Sequence, residues 1–70
     1  MAVMKVIELI GTSTKGWQAA AEDALATSAK TIRDIVGVEV VSWSAQVADQ
    51  QIAEYHARVK VSFRVREKVD

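Results

Sequence analysis

The clearest pattern in the chain is an alternation of apolar and polar residues from Ile52 to Arg66. A period of two sends successive side chains to opposite faces of a β-strand, so this segment is predicted to be a strand. Its apolar face consists of Ala53, Tyr55, Ala57, Val59, Val61, Phe63 and Val65, and its polar face of Glu54, His56, Arg58, Lys60, Ser62, Arg64 and Arg66. Because such alternation is typical of antiparallel sheets, we expect the apolar face to pack on a helix.

The segment from about Lys15 to Ile35 has the period of a helix instead. Apolar or small residues recur at spacings of three and four, at Trp17, Ala20, Ala21, Ala24, Leu25, Ser28, Ile32 and Ile35. The Thr and Ser residues after Gly11 are candidates for the helix N-cap, since their hydroxyls can accept hydrogen bonds from free amides. The alanines make the apolar stripe shallow, which predicts a helix lying close to a sheet.

Two more strands are predicted on either side of this helix. Val3–Ile10 is rich in branched residues and stops at Gly11, and Val36–Val47 is separated from the last strand by a polar turn at Asp49-Gln50. The element order is therefore β-α-β-β in a single α+β domain over residues 1–70. We expect the last strand to lie in the middle of a three-stranded antiparallel-type sheet, in the order 1-3-2, wrapped on the helix.

Chain length and composition favour self-association. A domain of 70 residues buries a small core, and such domains usually need disulfides, a structural metal or oligomerisation. The chain has no cysteine and a single histidine, so disulfides are excluded and a closed zinc site is nearly so. Half of the residues are hydrophobic, and two sheet edges would stay exposed in a monomer. We therefore expect the protein to be its own partner in a homo-oligomer.

Charge and hydropathy argue against several other partners. Nine basic and nine acidic side chains cancel, which disfavours a nucleic-acid-binding protein built on bulk positive charge. The apolar runs are too short to span a membrane, and the N-terminus lacks the features of a signal peptide. The sequence therefore predicts a cytoplasmic protein that binds neither nucleic acid nor membrane.

The predicted hairpin places candidate ligand-binding residues on the polar face of the sheet. With a two-residue turn, Trp43 would lie opposite His56 and Glu39 opposite Lys60. An indole, an imidazole and a row of cations that includes Arg58 would suit a flat, anionic ligand. The alternative is a solvated face with cross-strand ion pairs and a tryptophan at a subunit contact.

Catalysis is poorly supported by the sequence. The chain has no cysteine nucleophile, and none of its serines lies in the glycine pattern of a nucleophile elbow. Nothing in the sequence places two carboxylates in a common cleft. We therefore expect a binding protein, not an enzyme, with a small enzyme that uses His56 as a base as a distant third possibility.

Four strings in this order resemble the dodecins, small flavin-binding proteins that assemble as hollow shells of twelve subunits. They are Lys5–Ser13, the alanine-rich helix from Trp17, Val38–Val41 and Tyr55–Phe63. The resemblance covers roughly Lys5 to Arg66 and implies a β-α-β-β subunit in a homododecamer. In typical members, flavins bind in pairs between tryptophans of symmetry-related subunits.

The resemblance also implies a location for the flavin site. The family's stacking tryptophan stands just before the Glu-Val-Val stretch, where this chain has Gly37, and His56 replaces a glutamine that grips the flavin edge. Together with the polar face, this gives a predicted cofactor-binding set of Gly37, Trp43, His56, Arg58 and Lys60, with no metal ligands. Trp43 is six residues from Gly37, about 20 Å along a strand, and cannot replace the missing indole.

Two functions remain open at this point. The first is a storage protein that sequesters riboflavin, FMN or another flat phosphorylated cofactor, such as a coenzyme A derivative. The second is a shell that has lost flavin binding and serves as a scaffold. In that case metal ions could lie at subunit contacts through Glu8, Glu39 or Asp49.

Overall fold

The computed structural model describes residues 3–65 and has the predicted β-α-β-β order. Its elements are β1 (Val3–Ser13), α1 (Trp17–Ala29), β2 (Ile35–Ala48) and β3 (Gln51–Val65). The strands form one sheet in the order β1-β3-β2, and both pairings are antiparallel. The predicted α+β class and strand order are confirmed; the predicted end of β3 at Arg66 lies outside the described residues. Within residues 3–65, no helix is long and apolar enough to cross a membrane.

The helix ends six residues before the predicted end at Ile35. The amides of Lys30 and Thr31 donate to carbonyls three residues back, at 3.2 Å each, which tightens the last turn. Asp34 then adopts a φ of 61°, a left-handed conformation that carries the chain from the helix into β2. Ile35, predicted as the last apolar residue of the helix, is instead the first residue of β2.

Two irregularities in the β2–β3 pairing correct the predicted cross-strand partners. Glu39 lies opposite Lys60 as predicted, but Trp43 lies opposite Ala57, and His56 lies opposite Ser44. The register shifts by one residue between Gln46 and Val47 and shifts back between Val40 and Ser42. Since each one-residue shift exchanges the two faces of a strand, Trp43 joins the face that packs on α1.

The core lies where α1 crosses β1 and β3. It consists of five small or branched residues, Ala20, Ala24, Ala57, Val59 and Val61, each at most 3% exposed. Gly11 of β1 is also buried and lies opposite Ala57. A Cβ atom on Gly11 would lie 2.0 Å from the carbonyl oxygen of Ala20, so the glycine allows the helix backbone to touch the sheet. The predicted close approach of the helix is confirmed.

The subunit is elongated, and the helix covers only part of the sheet. Its extents are 59 × 19 × 13 Å and its radius of gyration is 14.8 Å, compared with about 11 Å for a compact chain of this length. The 13 residues of α1 span about 20 Å, and the 15 residues of β3 span about 50 Å. Large apolar side chains are therefore left exposed, at Val3, Met4, Val6, Ile10, Trp17, Val36, Val38, Val41, Trp43, Val47 and Ile52. Such a surface needs a protein partner.

Candidate functional site

The face of the sheet that points away from α1, called the open face below, carries most of the polar side chains of the sheet. Paired residues of antiparallel strands share a face, so the strand register defines its members. They are Met4, Val6, Glu8, Ile10 and Thr12 of β1, Glu54, His56, Arg58, Lys60, Ser62 and Arg64 of β3, and Gly37, Glu39, Ser42, Ser44 and Gln46 of β2. Its ionised side chains comprise three carboxylates and three cations.

A depression of about 500 Å³ lies on this face beside Gly37. Its lining residues are Val6, Gly37, Val38, Glu39, Lys60 and Ser62. The hydroxyl of Ser62 donates a hydrogen bond of 3.3 Å to the carbonyl oxygen of Gly37. Because Gly37 has no side chain, the strand backbone itself forms part of the floor. The structure thus brings together two of the five predicted ligand residues, Gly37 and Lys60.

The cations of the open face are largely matched by acids. Arg58 Nη1 lies 2.8 Å from Glu8 Oε2, and both side chains are about half exposed. Lys60 is opposite Glu8 on one neighbouring strand and opposite Glu39 on the other, although the described chain gives it no ion pair or hydrogen bond. The predicted row of cations therefore lies among acids, as in the alternative with cross-strand ion pairs, and this mixture of signs creates a much weaker positive potential.

His56 lies apart from the depression. It is four residues from Lys60 along β3, about 13 Å at the rise of a strand. Its Nε2 atom is 2.8 Å from Glu54 Oε1, and 29% of its side chain is exposed. Since residues two apart on a strand share a face, this carboxylate is the natural partner of the imidazole. His56 is therefore not one of the residues that line the depression.

Trp43 belongs to an aromatic cluster on the opposite side of the sheet. The Trp17 ring packs edge to face on Tyr55 with a centroid distance of 4.7 Å, and on Trp43 at 6.5 Å. The indole Nε1 of Trp17 donates a 2.7 Å hydrogen bond to the carbonyl oxygen of Ser44. The cluster thereby ties the start of α1 to the outer part of the β2–β3 hairpin. Trp43 and Gly37 lie on opposite faces of β2, so one bound ring cannot contact both in a single subunit.

Replacing Trp17 by phenylalanine tests the role of this cluster. The variant keeps an aromatic ring against Tyr55 but loses the hydrogen bond from the indole to the carbonyl oxygen of Ser44. We expect this loss to lower the free energy of unfolding by about 1 kcal/mol. A melting temperature lower by roughly 4–8 °C in circular dichroism would correspond to that cost. Trp43→Phe is the matched control, because its indole is 52% exposed and donates no hydrogen bond within the described chain. Equal melting temperatures for the two variants would show that the Ser44 contact contributes nothing.

Three lining residues of the depression were missed by the sequence analysis, namely Val6, Val38 and Ser62. Ser62 could have been identified, because it is two residues from Lys60 on the same predicted face. Val6 could be assigned to the depression only once the β1–β3 register was known, because in that register it lies opposite Ser62. The carboxylates named for the scaffold alternative, Glu8, Glu39 and Asp49, form no metal site in the single subunit: within residues 3–65, no three side chains of His, Cys, Asp or Glu come together at one.

Comparison with known proteins agrees with this architecture. The family model described as Dodecin matches residues 3–66. The curated dodecin of Thermus thermophilus is 37% identical over 65 residues, which cover 93% of this chain and 94% of that protein.

Two solved structures have the same fold. The crystal structure of an Arg-to-Ala variant of the Thermus thermophilus dodecin has a TM-score of 0.92 at 36% identity and covers 96% of this chain and 100% of that chain. The calcium dodecin of Mycobacterium tuberculosis, described as calcium chelating with a novel calcium-binding site, has a TM-score of 0.82 at 31% identity, with 97% of each chain covered. On the strength of the family match and these relatives, the chain belongs to the dodecin family.

Proposed function

We propose that this protein is a non-catalytic flavin-binding protein that sequesters riboflavin or FMN in a homododecameric shell. The observation that carries the proposal is the depression beside Gly37. Its volume of about 500 Å³ lies in the usual range for small-molecule sites. Val6 supplies an apolar wall, while Lys60 and Ser62 supply polar groups at the rim.

The residues present fit a flat ring in size and polarity but offer no stacking partner. Gly37 has no side chain, so a ring can meet the strand backbone there, and a Cβ atom added at this position would lie 3.1 Å from Ser62 Oγ. No aromatic side chain lies on the open face within residues 3–65. The ring would be held by contacts with the strand backbone and by hydrogen bonds at its edge. Such a site binds more weakly than one with aromatic stacking.

The exposed apolar residues support the oligomeric part of the proposal. Met4, Val6 and Ile10 lie on the open face itself, and each is at least half exposed in the single subunit. The depression is open to one side, so a flat ligand would leave its outer surface in water unless another subunit covers it. A second copy laid against the open face would bury these side chains and the ligand together.

Titration of the purified oligomer with riboflavin and FMN, followed by quenching of flavin fluorescence, tests this proposal. We expect quenching with both flavins, and a loss of affinity of about tenfold in Lys60→Met, which removes a charged donor at the rim. Lys30→Met is the matched control, because it removes the same charge from the end of α1, away from the open face. Absence of quenching, together with absence of flavin that co-elutes with the intact oligomer in size-exclusion chromatography, would exclude a flavin site.

A second candidate function is a scaffold shell stabilised by metal ions. The name of the calcium dodecin relative favours it, as does the lack of an aromatic residue among the described residues of the open face. Glu8 and Glu39 flank Lys60 on this face, and Asp49 lies in the turn between β2 and β3. Since the described chain forms no metal cluster by itself, ligands would have to come from several subunits. Dissociation of the oligomer by EDTA and its recovery with calcium, without flavin quenching, would favour this alternative.

A further inference from the structure

We propose that Glu54 and His56 form a chelating site for a divalent transition-metal ion such as zinc, nickel or cobalt. The pair lies on the open face of the sheet, but neither residue lines the depression beside Gly37. The site is therefore independent of the proposed flavin site. It also differs from the carboxylates of the scaffold alternative, because one of its two donor atoms is an imidazole nitrogen.

The two donor atoms already converge within one subunit. His56 Nε2 lies 2.8 Å from Glu54 Oε1. The residues are two apart on β3, so both side chains project from the same face of the strand. Two ligands bound to one ion at about 2.1 Å lie roughly 3.0 Å apart at a right angle and about 3.4 Å apart at a tetrahedral angle. Small rotations of the two side chains therefore convert the ion pair into a chelate.

No lysine or arginine within residues 3–65 forms an ion pair with Glu54. Arg58, two residues from His56 on the same face, is the nearest basic residue along β3, and its guanidinium is held by Glu8 at 2.8 Å. The side chains of the pair are partly exposed, at 29% for His56 and 39% for Glu54. A dication can therefore reach both donor atoms from solvent.

The residues opposite the pair supply further oxygen atoms. Thr12 of β1 and Ser44 of β2 lie opposite His56, and Gln46 of β2 lies opposite Glu54. All three are exposed. The Cβ atoms of facing residues in a sheet are about 4.5–5.5 Å apart, so these hydroxyl and amide oxygens lie near an ion held by the pair. Together with water, they are available for the coordination positions that the pair leaves open.

The donor set selects the class of ion. An imidazole nitrogen suits zinc, nickel, cobalt and copper, whereas calcium and magnesium take oxygen ligands. The ion replaces the proton between Nε2 and Oε1, and the remaining ring proton is then carried by Nδ1. Within residues 3–65, no third side chain of His, Cys, Asp or Glu joins the pair. The site is therefore an open one, and it binds metal more weakly than a closed site with four protein ligands.

Calorimetric titration of the untagged oligomer with zinc chloride tests this inference, together with NMR of the imidazole ring. His56 is the only histidine in the chain, so its ring signals need no further assignment. We expect zinc to bind with a measurable heat and to shift these signals. Nickel should bind more tightly than cobalt, and an excess of calcium should not displace zinc.

Two variants assign the ligands. His56→Gln removes the nitrogen donor, and Glu54→Gln removes the anionic oxygen while keeping the size of the side chain. We expect each variant to bind zinc at least about tenfold more weakly than the wild type. Glu22→Gln is the matched control, because it removes the same charge from an exposed position of α1 and should leave the affinity for zinc unchanged. Size-exclusion chromatography establishes that each variant keeps the oligomer of the wild type.

Three results would overturn the inference. Zinc affinity that is unchanged in both His56→Gln and Glu54→Gln would place the ion elsewhere. Ring signals of His56 that stay unshifted at saturating zinc would do the same, and this measurement needs only the wild type. Displacement of zinc by calcium would indicate a site made of oxygen ligands alone. The flavin titration decides the proposed function separately, since quenching or its absence leaves the zinc result unchanged.

Discussion

Gly11→Val is expected to prevent the subunit from folding stably. Gly11 lies at the closest contact between the sheet and α1, where a Cβ atom would be 2.0 Å from the Ala20 carbonyl oxygen and 2.8 Å from the Ala24 Cβ. The first of these atoms belongs to the helix backbone, which cannot rotate away as a side chain can. The whole helix would have to move off the sheet, and the contacts of Ala20 and Ala24 with β3 would open.

The expected size of this effect is large for so small a core. Overpacking of a well-packed contact typically lowers the free energy of unfolding by about 1–3 kcal/mol. We expect Gly11→Val to lie at the upper end of this range, because the helix backbone itself must move. The buried residues beneath α1 are only alanines and valines, so little other core can compensate within the subunit. We expect loss of cooperative melting in circular dichroism, together with loss of the assembled species in size-exclusion chromatography.

Gly37→Ala is the matched control for Gly11→Val. Its added Cβ would lie 3.1 Å from Ser62 Oγ, the end of a small side chain that can rotate. We expect the free energy of unfolding to change by less than about 1 kcal/mol, because the added methyl group meets no backbone atom. Normal melting of Gly11→Val would mean that α1 does not rest on β1 at this position, and the description of the core would be wrong.

The fold could be predicted from the sequence because each element has a distinct period. β3 alternates without interruption, and the stripe of α1 recurs every three to four residues, so both faces could be assigned before any contact was known. The end of α1 was predicted too late because Ile32 and Ile35 continue the helical spacing. The left-handed conformation of Asp34 breaks the helix between them, and periodicity cannot show such a single-residue event.

The candidate site could be predicted only in part, because two of the three register shifts in β2–β3 lie between Gly37 and the turn. In β2 the apolar residues Val40 and Val41 are adjacent, and such a pair fits several registers equally well. The observed shift at this point leaves Val41 without a partner and turns Trp43 toward α1. The pairing of Arg58 with Glu8 was missed for another reason: the two residues are 50 positions apart and meet diagonally across β1 and β3.

Tryptophan introduced at Gly37 is expected to raise flavin affinity by roughly ten- to a hundredfold. Stacking of a flat ring on an aromatic side chain is worth about 1–3 kcal/mol, and each 1.4 kcal/mol is about a factor of ten. Position 37 lies beside the depression, so an indole there could cover a ring that lies against Lys60 and Ser62. The new Cβ atom would meet only the Ser62 hydroxyl, at 3.1 Å, and this small group can rotate.

Gly37→Leu separates stacking from simple apolar bulk. Leucine adds a side chain at the same Cβ and meets the same Ser62 hydroxyl, but it has no ring to stack on a flavin. We expect flavin titrations to give tighter binding and stronger quenching in Gly37→Trp, and no gain in Gly37→Leu. Equal affinities for both variants, in oligomers of normal size, would mean that the ring does not lie beside Gly37. The flavin would then have to bind elsewhere on the protein, because the depression is where Gly37 leaves the backbone open to a ligand.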